Sequence, residues 1–252
     1  MSKQMDSGAA LQKGRIIWVS GGKGGVGKST FARGILDVLL NAGVAVAAYD
    51  GDPDNAQLFR FYQEQGMGVK KLALDTQGAA DGLLDAMEAR KAQVFLIDVA
   101  AGGSKTLQDL ENDIGLISEA AAMGYGFTVV SVLSRIKDSV NLLKLTLGMT
   151  EGLAVDLIAV RNLYFGDDGQ FALFDESMTK QRLIERGGRV VDMPILFANT
   201  YEILDRQNLP FSTAVSAPTS VVPRAHRTRV YKWLQALDEA LLDGDLQGVL
   251  GR

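Results

Sequence analysis

Gly21-Gly22-Lys23-Gly24-Gly25-Val26-Gly27-Lys28-Ser29-Thr30 follows the apolar run Ile16-Ile17-Trp18-Val19 and leads directly into a helical pattern. A strand, a glycine-rich loop and a helix in that order make a phosphate cradle. Glycines let successive backbone N–H groups turn inward on an anion, and the helix that follows presents its positive end to the same point. Gly24, Gly25, Val26, Gly27, Lys28, Ser29 and Thr30 are therefore the expected phosphate contacts, with Lys28 at the β/γ position and the Ser29 hydroxyl offered to Mg²⁺. The bland alternative, a glycine-rich turn with incidental lysines, is disfavoured by the strand and helix around it.

Outward from this loop, apolar runs alternate with helical stretches. A helix is expected to about Asn41 and another over Gln57 to Gln65. Val44 to Tyr49, Val94 to Ile97, Phe127 to Val132, Val155 to Val160 and Arg189 to Met193 read as strands. Nearly continuous apolar strands separated by helices must be covered on both faces, which predicts an α/β fold with a mainly parallel twisted sheet and helices on either side. A last helix is expected from near Pro223 to about Asp243, ahead of Gly244.

With 252 residues and 47% hydrophobic content, the chain suits one large-cored domain over residues 15–252 behind a flexible polar tail, residues 1–14. There is no cysteine, which excludes disulfides, thiolate metal sites and cysteine-held iron–sulfur clusters. The single histidine, His226, cannot build a zinc site alone and reads as a surface residue. A formal net charge of −4 argues against a chain that coats nucleic acid over its whole surface. No apolar run has the length of a membrane span, and the N-terminal stretch lacks a signal-peptide core, so a cytoplasmic location is expected, nucleoid association included.

Ligands of such sheets bind at the carboxyl ends of the strands, so acidic residues that follow apolar runs are candidates. Asp50-Gly51-Asp52-Pro53 closes one run and Asp98 closes Val94-Phe95-Leu96-Ile97. Asp98 reads as the carboxylate that holds Mg²⁺ or its water, with Gly102-Gly103 able to approach a γ-phosphate. Asp50 and Asp52 could alternatively serve a turn through local hydrogen bonds.

The lysine-bearing loop Lys23-Gly24-Gly25-Val26-Gly27-Lys28-Ser29 resembles the K-G-G-x-G-K-[ST] loop of the deviant Walker ATPases of the ParA/MinD family, closest in character to ParA-type partition and positioning ATPases. The resemblance implies ATP and Mg²⁺ as cofactors, slow hydrolysis to ADP and phosphate, and a homodimer sandwiching ATP, in which Lys23 reaches the partner's phosphates as an arginine finger would. It implies Lys23, Lys28 and Asp52 as catalytic residues, Asp52 orienting the attacking water. It further implies Ser29, Asp50 and Asp98 on the metal side. Asn162, which closes Leu157-Ile158-Ala159-Val160-Arg161, takes the place of the family's adenine-bonding asparagine, with loop capping as the alternative, and Pro194 would add backbone contacts to the base. The Asn-Lys-x-Asp element of guanine readers is absent, so ATP is expected over GTP. The chain departs from the family pattern at Asp54-Asn55 and at Ser134-Arg135, which leaves subfamily and cargo open.

Arg224, His226, Arg227, Arg229 and Lys232 crowd the start of the last helix, where cations oppose the macrodipole by roughly a few tenths of a kcal/mol each. Nonspecific DNA binding, as in partition ATPases, would account for them; a solvated helix face behind the inward Val230, Trp233, Leu234, Leu237 and Leu241 is the alternative. The tail Leu242-Asp243-Gly244-Asp245-Leu246-Gln247-Gly248-Val249-Leu250-Gly251-Arg252 makes a poor anchor for an anionic membrane. The expected function is a dimerising ATPase switch that positions or partitions a cargo together with an adaptor or activating protein. The rivals are an ATP-regulated protein-binding adaptor without DNA binding and a metabolic P-loop enzyme such as an amidoligase.

Overall fold

Ile16, Ile17, Trp18 and Val19 are all fully buried, and they divide between two cores: Ile17 and Val19 face one, Ile16 and Trp18 the other. The same alternation splits Leu96 from Phe95 and Ile97, and Val130 and Val132 from Phe127 and Val129. A period of 2 hidden inside unbroken apolar runs is what a sheet covered on both faces requires.

The computed structural model describes residues 14–252 except Lys23, Asp75 and Gln77, and only the backbone of Asp168. Its strands are β1 (Gly14–Gly21), β2 (Val46–Gly51), β3 (Val69–Lys71), β4 (Val94–Val99), β5 (Tyr125–Leu133), β6 (Val155–Asn162) and β7 (Arg189–Met193). The helices are α1 (Lys28–Asn41), α2 (Gln57–Tyr62), α3 (Asp81–Glu88), α4 (Gly103–Ile114), α5 (Leu116–Ala122), α6 (Lys137–Met149), α7 (Ala172–Asp175), α8 (Met178–Glu185), α9 (Ala198–Gln207), α10 (Phe211–Ser216) and α11 (Arg224–Asp243). The strands form one 7-stranded sheet in the order β3-β2-β4-β1-β5-β6-β7, parallel at every pairing. The fold is thus the predicted α/β architecture, with α1, α2, α9, α10 and α11 on one face and α3 to α8 on the other.

Several expectations are corrected, among them the helix expected over Gln57 to Gln65, which ends at Tyr62 with Gln63 as its C-cap. Gly14, expected in the tail, opens β1; residues 1–13 lie outside the described residues. β2 starts two residues later than the apolar run suggests, because the left-handed Gly43 and the bond from Val44 N to Leu39 O still belong to the end of α1. Asp50 and Asp98 lie inside β2 and β4, not beyond them, because the ladder continues through the pairs Asp50–Asp98 and Gly51–Val99. The edge strand β3 was not expected: at three residues, with Lys70 and Lys71 exposed, it carries too little apolar pattern to be read.

Two close approaches position the site. Gly34 of α1 lets α11 settle directly on it, since a Cβ there would lie 2.5 Å from Leu237 Cδ2 and 2.8 Å from Trp233 Cη2. Trp233, so seated, donates from Nε1 to Pro194 O at 2.8 Å and fixes the chain beyond β7. At the opposite end of the sheet the residues after α11 fold back: Leu246, Val249 and Leu250 are buried, Arg15 donates to Gly248 O at 3.0 Å, and Thr128 donates to Val249 O.

Candidate functional site

Gly27 is the N-cap of α1 at φ 100, in the left-handed region, and Gly25 has φ 85. A side chain on Gly27 would also collide with the Asn162 amide nitrogen and reach 3.1 Å from Met193 Cε. Glycine is therefore required there twice over, by dihedral angle and by approach. Asn162 closes β6 and ties the loop down: its Nδ2 donates to Val26 O at 2.9 Å, while its Oδ1 accepts from Tyr164 N at 3.1 Å.

The loop opens onto a cavity of about 390 Å³. Gly24, Gly25, Gly27, Lys28, Ser29 and Thr30 line it from the loop, with Asn162 and Met193 packed against Gly27; Asp52, Asn55 and Gln57 line it from the β2–α2 turn, and Tyr164, Pro194, Leu196, Ala198, Tyr201, Glu202 and Trp233 complete it. The lining thus combines the backbone N–H groups and lysine of the loop with aromatic and apolar side chains, the two kinds of surface a nucleotide needs for its phosphates and its base.

Of the residues expected here from sequence, all the loop residues after Lys23 except Val26 line the cavity, as do Asp52, Asn162 and Pro194. Val26 is in the core, contributing its backbone carbonyl to Asn162. Lys23 lies outside the described residues. Asn162 fulfils the capping alternative while also lining the cavity. Pro194 O is already taken by Trp233. Sequence reasoning missed Asn55 and Gln57, next to the Asp52 turn, and Tyr164, Leu196, Ala198, Tyr201 and Glu202, which tertiary packing brings to the cavity, and it read Trp233 as core alone.

The carboxylates divide by role. Asp50 accepts from Asp52 N at 3.0 Å and from Phe59 N at 2.9 Å, one bond to each oxygen, and Asp52 Oδ1 accepts from Asp54 N and Asn55 N at 3.1 and 2.9 Å. Both therefore shape the β2–α2 turn. Asp52 Oδ2 accepts no hydrogen bond among the described residues, and Asp52 faces the cavity. Asp98 is buried with neither oxygen hydrogen-bonded. Burial pushes its carboxyl up to about 7, against the Ser29 hydroxyl and the Lys28 ammonium, which favour the charged form, while Asp50 and Asp52 raise it further. The Ser29 hydroxyl is near enough to act on that charge without making a regular hydrogen bond.

An orphaned buried carboxylate beside a loop serine fits a hard divalent cation that keeps waters and takes its other oxygens from phosphates. No three His, Cys, Asp or Glu side chains converge among the described residues, so such a cation would need those further oxygens. Ser29 and Asp98 are the residues that would hold Mg²⁺, while Asp50 has its oxygens engaged by backbone N–H groups.

Three members of the basic cluster on α11 meet neighbouring groups at a half-exposed surface. Arg227 donates to Ala217 O at 3.0 Å and Thr219 Oγ1 at 2.9 Å, and Arg229 lies 5.4 Å from the Phe197 ring centroid. His226, expected at the surface, is half-buried with Nδ1 2.9 Å from Thr200 Oγ1. Arg224 and Lys232 remain exposed. Among the described residues no helix is long and apolar enough to cross a membrane.

A parallel sheet with a glycine-rich loop and a lysine at its centre, facing a cavity lined by both polar and aromatic groups, defines a P-loop nucleotide-binding domain. The model of the CobQ/CobB/MinD/ParA nucleotide binding domain matches residues 17–211, and the chain belongs to that family. Protein MobD of Acidithiobacillus ferrooxidans is 25% identical over 218 residues, covering 86% of this chain and 92% of that protein. Among solved structures, a nucleotide-binding protein of Archaeoglobus fulgidus in complex with ADP is similar in fold, with a TM-score of 0.51 at 17% identity over 90% of this chain and 93% of that one. The MinD cell division protein of Aquifex aeolicus gives a TM-score of 0.50 at 14% identity over 88% and 97%.

Proposed function

We propose that this chain is a switch ATPase: ATP closes a homodimer, the dimer holds a cargo or partner, and slow hydrolysis releases it. The observation that carries the reading is Asp98, a buried carboxylate with both oxygens unpartnered beside Ser29 and Lys28. In this reading Lys28 and the loop N–H groups bind the phosphates, and Asp52 orients the attacking water with its free oxygen. Mg²⁺, held by Ser29 and Asp98, would neutralise charge on the β- and γ-phosphates. Lys23 would complete the partner's site in trans.

Oligomeric mass in ADP and in ATP tests the proposal. The expected result is a monomer in ADP, a dimer in ATP, no ATP dimer for Lys23→Ala, and a persistent ATP dimer for Asp52→Ala. A wild-type chain that stays monomeric in ATP would overturn the switch reading.

We favour a protein partner over DNA as the output, because Arg227 is hydrogen-bonded to Ala217 and Thr219 and Arg229 lies over Phe197, which leaves Arg224 and Lys232 as the exposed cations of the cluster. Reversing those two charges would disturb packing as well as charge. Arg224→Glu with Lys232→Glu is the cleaner variant. Salt-sensitive retention of DNA by the ATP form that vanishes in this double variant would restore the DNA-binding output.

A further inference from the structure

Arg33 lies one helical turn after Ser29 and is fully buried, yet it forms no ion pair among the described residues. Its guanidinium is stacked 3.6 Å from the Phe61 ring centroid and 4.4 Å from that of Phe211. Nε and Nη2 have no hydrogen-bond partner, so Nη1 to the Tyr201 hydroxyl, at 3.2 Å, is its one directional bond. A guanidinium can only donate. The Tyr201 oxygen must therefore accept from Arg33, and its own proton is directed to Gln57 Oε1, 3.2 Å away.

This fixed polarity matters because of where Gln57 stands. It opens α2 immediately after Asp52-Pro53-Asp54-Asn55, and both Gln57 and Tyr201 line the cavity. The loop is shaped by bonds from Asp52 to Asp54 and Asn55 and joined to β2 through Asp50, which accepts from Asp52 N and Phe59 N; none of these bonds reaches α9 on the other side of the cavity. A second link between α2 and α9, Arg60 to Asp205, is exposed at both side chains and screened by water. The Arg33–Tyr201–Gln57 chain is the sheltered tether.

We infer that Tyr201 is a positioning residue for phosphoryl transfer: through Gln57 it ties the start of α2, and with it the Asp52 loop, to α9 across the cavity, with Arg33 setting the direction of its proton. The inference rests on the ATPase reading above, since the benefit lies in keeping Asp52 within reach of a water. A group that places a catalytic side chain affects turnover more than binding.

Tyr201→Phe removes one oxygen and keeps the ring. The expected result is a kcat lowered about tenfold with nucleotide Kd changed by less than about threefold. Gln57→Leu should reproduce the loss while leaving Arg33 bonded to Tyr201, and the double variant should lose no more than either single one. Hydrogen–deuterium exchange over residues 52–59 reads the same tether without turnover and should quicken in both variants with ADP bound. Unchanged kcat and exchange in Tyr201→Phe, or losses that simply add in the double variant, would overturn the inference. Asp52→Ala serves as the separate control: undiminished hydrolysis there refutes the water-orienting role, whereas the exchange experiment still judges the tether.

Discussion

Asp50 and Asp98 are register partners across β2 and β4, yet one carboxylate is bonded at each oxygen by a backbone N–H and the other is bonded at neither. Neighbours on one sheet thus do different work. Asp50 is consumed in building the turn that presents Asp52, and Asp98 is kept bare beside Ser29 and Lys28.

The bare carboxylate should cost stability in the nucleotide-free protein. With a folded pKa of about 7 against an ordinary 3.8, the folded state holds a proton that the unfolded state has lost between those values. Stability therefore falls as pH rises through that window and is level above it, by no more than about 4 kcal/mol. Asp98→Asn should flatten this part of the profile and raise the apo Tm at neutral pH while abolishing Mg²⁺-dependent hydrolysis. Thermal melts across pH for both proteins check the first outcome, and a phosphate-release assay checks the second.

Gly27→Ala should be far more damaging than its size suggests. It introduces a side chain at φ 100 and drives it into the Asn162 amide. A destabilisation of about 1–3 kcal/mol is expected from backbone strain alone. Displacing Asn162 also frees Val26 O, so nucleotide affinity should fall by about a hundredfold or more, measurable by calorimetric titration.

A second polar cluster fastens the helices on the α1 face. Asp37 accepts from Tyr62 Oη at 2.5 Å, Ser212 Oγ at 2.5 Å and Ser212 N at 3.2 Å, joining α1, α2 and α10, and burial raises its pKa. Asp37→Ala would strand three donors. A loss of about 3 kcal/mol is expected, seen as a lower denaturant midpoint.

The residues after α11 should behave as core and not as a membrane anchor. Leu250→Ala is expected to destabilise by about 2–4 kcal/mol, because Leu250 is buried on the α1 face. Sedimentation with anionic liposomes and ATP should leave the wild-type chain in the supernatant; pelleting would refute this.

Much of this was legible along the chain because it is local. The phosphate loop, the buried strands around it and the approximate extent of α11 follow from spacing and hydrophobic period, which depend on neighbours in sequence. β3 was not legible, since a short edge strand with exposed lysines is defined by its partner and not by its own pattern. Nor was the fate of the basic cluster: Arg227 and Arg229 look alike in sequence to Arg224, and only the approach of Ala217, Thr219 and Phe197 separates them.

The sequence by itself determined the class of the fold, the glycine-rich loop at Gly24 to Thr30 and the carboxylates at the ends of β2 and β4, because backbone dihedral freedom and residue charge are properties of residue types. Tertiary structure alone decided which carboxylate stayed unpartnered, which cations of the last helix met a neighbouring group, and that Tyr201 and Trp233 reach the cavity. Those outcomes depend on which distant groups meet in a dry interior, where a single hydrogen bond made or missed changes what a side chain is free to do.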